Sequence, residues 1–357
     1  MAFDPMQEDC LRLTLEAMRR ERVYPLDNPA FVERCMDAYR EDPAQLIKTD
    51  RDRSYHLMTL ATEIIDYRIP FMSDDDAADE ATWDAEGKLR EAAALDPSNW
   101  DARRMLAALE APSNDAYVSF LLDHVDEVRD DLERVLDSIS NSYDRDFAGS
   151  IAWRPYVRWL AATASRALIA GQYRLSLDFA ERCLAFMGED PAGARHTAVL
   201  AMAKLECSRD ELKRFRAKHA SSYLPPVQLR RRHHLDEKAP DAWLMLAELA
   251  CAYHEFDYNG ATRVLRSLLK AYPRAAEPLY FQAEFPDGVY ARVNVEPGSE
   301  DELILAISEA TPLLQEGIGA PSNASLAYWI ASHDLVEGAL EEHEAAAEGK
   351  GGKGGLN

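Results

Sequence analysis

Along most of this chain, apolar residues return at every third or fourth position, the period of an α-helix with one buried face. The longest stripe runs through Asp115–Ser138, where Val118, Leu121, Val125, Val128, Leu132 and Leu136 share one side. Near the start, Leu11, Leu13, Leu15 and Met18 lie in a helix that stops at "VYPLDNPA". Asn28 followed by Pro29 then predicts the N-cap and first turn of a second. Tyr55, Met58, Thr62 and Ile65 mark a third, read as running on from Pro43. After the break at "RIPFMSDDDAADE", Ser73 and Asp76 predict a helix start whose acids suit the positive end of the helix dipole. The acid density there invites a calcium loop, but the mid-loop glycine is missing and the closing glutamate misplaced. Further helices are predicted on both sides of the turn "DPSN", from Pro155, after "GQY", and on both sides of Ser208-Arg209. A strand-like pattern is confined to "GVYARVNV", too short to found a sheet. The pattern predicts an all-α chain.

Its punctuation repeats. Asp-Pro recurs at helix junctions as Asp42-Pro43, Asp96-Pro97 and Asp190-Pro191, and Pro273 falls at a comparable place; proline ends one helix and can begin the next. "GQY" (Gly171–Tyr173) and "FDY" (Phe256–Tyr258) sit at tight turns, each followed by a small residue, Ser176 or Ala261. The stretch "AWLMLAELACAYHEFDYNGATRVLRSLLKAYP" carries the pattern best, and with it the chain resembles the tetratricopeptide repeat family. Trp243, Leu246 and Ala247 look like the first helix of that repeat; Asp257, Tyr258, Ala261, Leu265, Leu268 and Pro273 look like its turn, second helix and terminator. Ala92, Leu95, Asp96 and Pro97 match the junction between repeats, and residues 171–207 match more loosely. The resemblance covers roughly Asp79–Tyr280 and implies helix–turn–helix units stacked into a superhelix, an α-α solenoid. "EPGSEDELILAISEATPLL" is similar to the segment closing a group of bacterial repeat proteins, and the suppression-of-tumorigenicity family ends comparably. Ser299 and Glu302 there read as a capping box on a terminal helix that seals the array. The organisation expected is an N-terminal helical region over 1–72, repeats over 73–285, capping helices over 286–345 and a disordered tail over 346–357.

Charge narrows the partners. The 357 residues carry 63 acids against 40 lysines and arginines, a formal net charge of −23. That field repels polyphosphate, so no nucleic acid is expected, and it favours encounter with basic proteins or peptides. The five cysteines, Cys10, Cys35, Cys183, Cys207 and Cys251, form no CxxC pair and read as reduced, buried thiols. The first residues lack the apolar core of a signal peptide, and no apolar run reaches the ~18 residues of a membrane span, so no membrane is expected and the location expected is cytoplasmic.

Candidate chemistry is sparse. His254-Glu255 and His343-Glu344 lack the second histidine of a zinc-protease helix, and there is neither a nucleophile elbow nor a phosphate loop. His56, His124, His196, His219 and His333 stand alone and read as satisfied surface or core residues. Arg230, Arg231 and Arg232, followed by His233-His234, form the one dense basic patch, suited to an acidic peptide or phosphate or to the acidic body of the chain itself. In tetratricopeptide arrays the first helix of each pair lines the concave groove. The resemblance therefore implicates Asp101 and Arg104 in one pair and Leu244 and Glu248 in another. The Lys/Asn set that clamps a peptide carboxylate in such families is absent, and the groove could equally be filled by the chain's own N-terminal helices. The function expected is protein or peptide binding by a scaffold without catalytic chemistry or cofactor. Self-association into a homo-oligomer is the second reading, and an enzyme or small-ligand regulator on a helical array is the third.

Overall fold

A computed structural model of the chain describes residues 4–23, 28–139, 145, 148–149, 151–223, 241–281, 295, 298–314 and 326–351. Among the described residues every regular element is a helix and there is no strand. Apart from its last residue, "GVYARVNV" lies outside them. The chain divides into two compact units, residues 1–166 with 291–293, and residues 167–290 with 294–357. The body expected over 73–285 is thus shared between two units.

The first unit contains α1 (Pro5–Glu21), α2 (Pro29–Glu41), α3 (Asp50–Thr62), α4 (Asp75–Leu95), α5 (Trp100–Glu110), α6 (Asn114–Asp137) and most of α7 (Arg154–Ile169). Its helix starts follow local chemistry, with some shifts from expectation. Pro29 does open α2, yet the Asn28 side chain makes no capping bond. Pro43–Gln45 is a single 3₁₀ turn, and α3 begins only at Asp50, where Thr49 and Asp52 form a capping box. The cap of α4 is Asp74, not Ser73; its carboxylate accepts from the amides of Asp76 at 3.0 Å and Ala77 at 3.2 Å. An acid is the stronger cap here because it also meets the positive helix end. Beyond Thr62 the helix widens into a π turn over Glu63–Arg68 and closes as a 3₁₀ turn at Ile69–Phe71, where Pro70 has no amide to continue it.

Packing in this unit follows the predicted stripes. Leu13, Phe31, Cys35, Tyr39 and Leu46 join α1 to α2. Tyr55, Met58, Leu89 and Met105 join α3, α4 and α5 around Ala61, Ala85 and Ala92, whose lack of side-chain bulk lets the backbones close up. Asn99 in the "DPSN" turn is fully buried and ties three elements together. Its Oδ1 accepts from the Ala102 amide (3.1 Å), and its Nδ2 donates to Ser54 Oγ (2.9 Å), which in turn donates to the Ala92 carbonyl (2.7 Å). Trp100 and Trp159 meet edge-to-face at 5.7 Å, and the Trp159 indole donates to the Leu121 carbonyl at 2.9 Å.

The second unit contains α8 (Tyr173–Phe186), α9 (Ala194–Lys204), α10 (Arg209–Lys218), α11 (Ala242–His254), α12 (Tyr258–Ala271), α13 (Ala276–Tyr280), α14 (Glu300–Glu309), α15 (Thr311–Leu314), α16 (Leu326–Ala331) and α17 (Asp334–Gly351). Helix α9 packs on α8 and α11, and α11 also packs on α10, α12 and α14. Nine of its thirteen residues are buried, as an α-helix apolar on every side requires. The cap expected at Ser299 is half present: Ser299 accepts from the Glu302 amide, while the Glu302 carboxylate takes the Gly298 amide instead of closing the box. The tail expected to be disordered from 346 is helical as far as Gly351.

The X-Pro junctions share a local geometry. Asp42, Asp96 and Tyr272 all end their helices in extended backbone, at φ −160°, −138° and −121°, the conformation a following proline imposes. Asp190 departs from it. It sits at φ 50°, and its carboxylate turns back to accept from the amides of Ala194 (2.6 Å) and Arg195 (3.0 Å) at the start of α9. No described helix is long and apolar enough to cross a membrane.

Leu89→Ala should lower unfolding free energy by about 2–5 kcal/mol through a cavity in the α3–α4–α5 core. Leu109→Ala, at a position 40% exposed on α5, should change it by less than about 0.5 kcal/mol. Urea titration followed by circular dichroism checks both.

Candidate functional site

The sequence-predicted residues Asp101 and Arg104 belong to a buried charge centre in the first unit. Asp101 is 1% exposed, and the Arg158 guanidinium from α7 grips it with Nε at 2.9 Å and Nη2 at 2.5 Å. The same guanidinium grips Glu8 of α1, with Nη1 at 2.9 Å and Nη2 at 3.0 Å. Arg12 at 2.8 Å and Arg154 at 3.1 Å also hold Glu8, and Arg104 reaches Asp101 at 3.5 Å. Arg12 lies over the Tyr55 ring at 4.2 Å. Burial alone would push both carboxyls up, but Arg158, helped by Arg12 for Glu8 and by Arg104 for Asp101, holds them below the usual carboxylate range. Asp101 is therefore turned inward and engaged by the chain's own arginines. Beside this centre, Asp9 Oδ2 accepts from the Tyr39 hydroxyl (2.8 Å) and meets His56 Nδ1 at 2.7 Å, so this lone histidine is satisfied within the core.

Glu8, Arg12, Arg154 and Arg158 were not among the sequence-predicted site residues. Their spacing was visible, since Glu8–Arg12 and Arg154–Arg158 are each one helical turn apart. What joins Arg158 to Glu8 is contact across 150 positions, which no local pattern encodes.

In the second unit Leu244 and Glu248 have different fates. Leu244 is buried within α11, in keeping with that helix being apolar all round. Glu248 is half-buried and makes no hydrogen bond or ion pair with the described residues. Burial pushes its carboxyl up, partly offset by Arg216, Lys213 and Arg209, which fall at helical spacing on α10. Deeper in this unit His196 stacks on Trp243 with ring centroids 3.7 Å apart, and the Trp243 indole donates to Glu309 at 2.7 Å. Burial, with Arg195 next to it, drives the His196 pKa well down, so the ring is neutral where it stacks. Burial also pushes the Cys183 and Cys251 thiols up to about 12, far from nucleophilic range. Arg230, Arg231 and Arg232, with His233-His234, lie outside the described residues.

A cluster that sequence reasoning treated only as a turn stands at the α11–α12 junction. Phe256 is 78% exposed and occupies the left-handed region at φ 58°, a conformation costly for a bulky residue. The strain is held from both sides. Asp257 caps α12 by accepting from the Gly260 amide at 2.8 Å, and Arg209 of α10 binds Glu255 at 2.9 Å and Asp257 at 2.6 Å. A Cβ on Gly260 would come within 2.1 Å of the Asp257 carboxylate, so the cap depends on glycine there. Around this turn Tyr253 meets Tyr258 and Trp329 with centroids 5.7 Å apart, Phe256 meets Tyr258 at 6.5 Å, and Trp329 meets His333 at 4.9 Å. Tyr258 is 48% exposed. Aromatic side chains in such a cluster carry large contact area at small entropy cost, the property that concentrates binding energy at interfaces.

Among the described residues no group of three or more His, Cys, Asp or Glu side chains is placed to hold a metal ion. Compared with known proteins, the chain matches no family model, no curated protein and no solved structure.

Glu8→Gln should destabilise the first unit by about 3–5 kcal/mol, since it leaves buried guanidiniums underpaired. Because the folded pKa values of Glu8 and Asp101 lie below their unfolded ones, their contribution is complete above about pH 5 and is lost as pH falls through the folded values. Hydrogen exchange of α1 and α5 across an acid series checks this, and the variant's acid sensitivity there should be smaller. His196 runs at a higher pH. Its lowered folded pKa gives stability that is complete above about pH 6.5 and declines below it. His196→Phe should flatten that decline when α9 exchange is followed.

Proposed function

We propose that this chain is a binding scaffold of tetratricopeptide-like helix pairs that takes up a protein or peptide segment. Packing between consecutive helices, α8 on α9 and α11 on α12, supports the helix-pair reading, as do the recurring extended stops at X-Pro junctions. The observation that carries the binding reading is the aromatic cluster at the α11–α12 turn. A strained backbone holds Phe256 out into solvent, braced by a cap and two ion pairs. An exposed apolar ring maintained at conformational cost is the mark of a surface selected for something other than stability. Binding at a pre-formed helical surface loses little ordering entropy, so a modest area suffices for affinity.

Capture from cell extract with the wild-type chain should enrich partners that are lost with Phe256→Ser/Tyr258→Ser. Both side chains are exposed, so the double variant should melt within a few degrees of wild type. An unchanged set of captured proteins would sink this reading.

A further inference from the structure

We propose that the exposed face of α4 around Trp83 docks a basic segment of a partner protein, an arginine of that segment stacking on the indole. This surface lies in the first unit and does not depend on the cluster at the α11–α12 turn.

Three observations carry it. The first is Trp83 itself. It is 70% exposed in the middle of α4, while Ala85, Leu89 and Ala92 turn the other face of the helix into the core. Among the described residues no ring stacks on it, no cation lies over it, and its indole N–H makes no hydrogen bond. Tryptophan is the ring that holds a cation best.

The second is Gly87, one helical turn further on and also exposed. Glycine is the poorest helix former after proline, yet a Cβ built there would meet nothing within 4 Å, so packing does not require it. A side chain at this position would lean back over the turn that carries Trp83. Glycine leaves the indole uncovered on that side and lets another chain come close to the helix backbone.

The third is local charge, which selects the occupant. Between Arg68 and Lys88 the sequence has seven acids and no base. Asp84 is paired with Lys88 and Glu86 with Arg90. Asp74, Asp75, Asp76, Asp79 and Glu80 make no ion pair with the described residues. The helix dipole accounts for the first three, which cap α4 or sit in its first turn. Asp79 and Glu80 lie beyond it, four and three residues before Trp83 and so beside it on the helix surface. The bases of the helices packed on α4 are engaged elsewhere. Arg51 and Arg53 of α3 meet Asp96 and Glu91, Arg104 of α5 meets Asp101, and Arg103 lies over Trp100. Arg68 of the π turn is exposed and makes no ion pair, one positive charge against five negative. The face is therefore net negative where Trp83 stands. A nucleic acid or an anionic membrane meets like charge there, and a second copy brings a formal −23. A basic segment complements it. Its arginine suits the site better than a lysine, because a planar guanidinium stacks on the indole while its edge pairs with a carboxylate.

The test uses the full chain and a fluorescent peptide of alternating glycine and arginine. A control peptide with citrulline for arginine keeps the planar group and removes its charge. Fluorescence anisotropy should show binding of the arginine peptide and at least about tenfold weaker binding of the citrulline one. Trp83→Ala, and separately Asp79→Asn/Glu80→Gln, should each weaken the arginine peptide about tenfold. These side chains are exposed, so both variants should melt within a few degrees of wild type. Gly87→Gln should raise the melting temperature and still weaken the peptide, a combination that a purely structural role for this face would not give. Phe256→Ser/Tyr258→Ser should leave peptide binding unchanged. Equal binding of both peptides overturns the cationic partner. Arginine binding unaffected by Trp83→Ala overturns the role of the indole, and loss with Phe256→Ser/Tyr258→Ser instead moves the segment to the α11–α12 turn. Failure of both peptides to bind also overturns the inference. If light scattering then shows a dimer that Trp83→Ala abolishes, a second copy is the occupant.

Discussion

A guanidinium taken out of water has to be given carboxylates in return, and in the first unit that requirement falls on Arg158. Its two edges are occupied by Asp101 of α5 and Glu8 of α1, at distances that satisfy both bidentate pairs. Each charge would be costly alone: removing any partner strands the others in low dielectric, so the arrangement is held as a whole. The consequence is topological. Helix α1, from the far end of the sequence, lies where α5 and α7 present their charges, and α2 and α3 pack on α1. Asp101, which the resemblance assigned to a groove-lining helix, is linked here through Arg158 to Glu8 of the N-terminal helix.

The second unit solves a different problem. Helix α11 is apolar nearly all round and has to be enclosed, which α9, α10, α12 and α14 do. Enclosure makes Leu244 a core residue and leaves Glu248 as the charged position of that helix, half-buried near the cations of α10. It also moves the interesting surface to the helix end, where the chain leaves α11 through a left-handed Phe256. Strain there is tolerated because Asp257, Gly260 and Arg209 over-determine the turn, and the outcome is an exposed Phe256 beside a half-exposed Tyr258. The two units thus differ in character: buried arginine–carboxylate pairing holds one together, while the other carries an aromatic cluster at a helix junction.

Local sequence determined a good deal. Helical periodicity, proline at helix starts and caps by Thr49, Ser113 and Ser208 follow from chemistry within a few residues, and the helices appear close to where the stripes put them. The turn at "FDY" was legible for the same reason. Errors of a residue or more, as at Ser73 against Asp74 or Pro43 against Asp50, arise where several polar residues could cap and only three-dimensional fit selects one. Even the burial of Leu244 had a local signal, since a helix without a polar face cannot line a groove.

Tertiary structure alone decided which charges meet. Asp101 and Glu8 are ordinary acids in a chain with 63 of them, and nothing within a few positions of either distinguishes it. Their role comes from an arginine 57 and 150 positions away, and an ion pair of that span is fixed by how helices pack, not by the period of any one of them. The same holds for the aromatic cluster, where Trp329 joins Tyr253 across two helices that share no local pattern. Period and capping are short-range properties of a backbone that hydrogen-bonds to itself every four residues, so the sequence carries them openly. Contact between distant side chains depends on the sum of all packing, and only the folded chain expresses it.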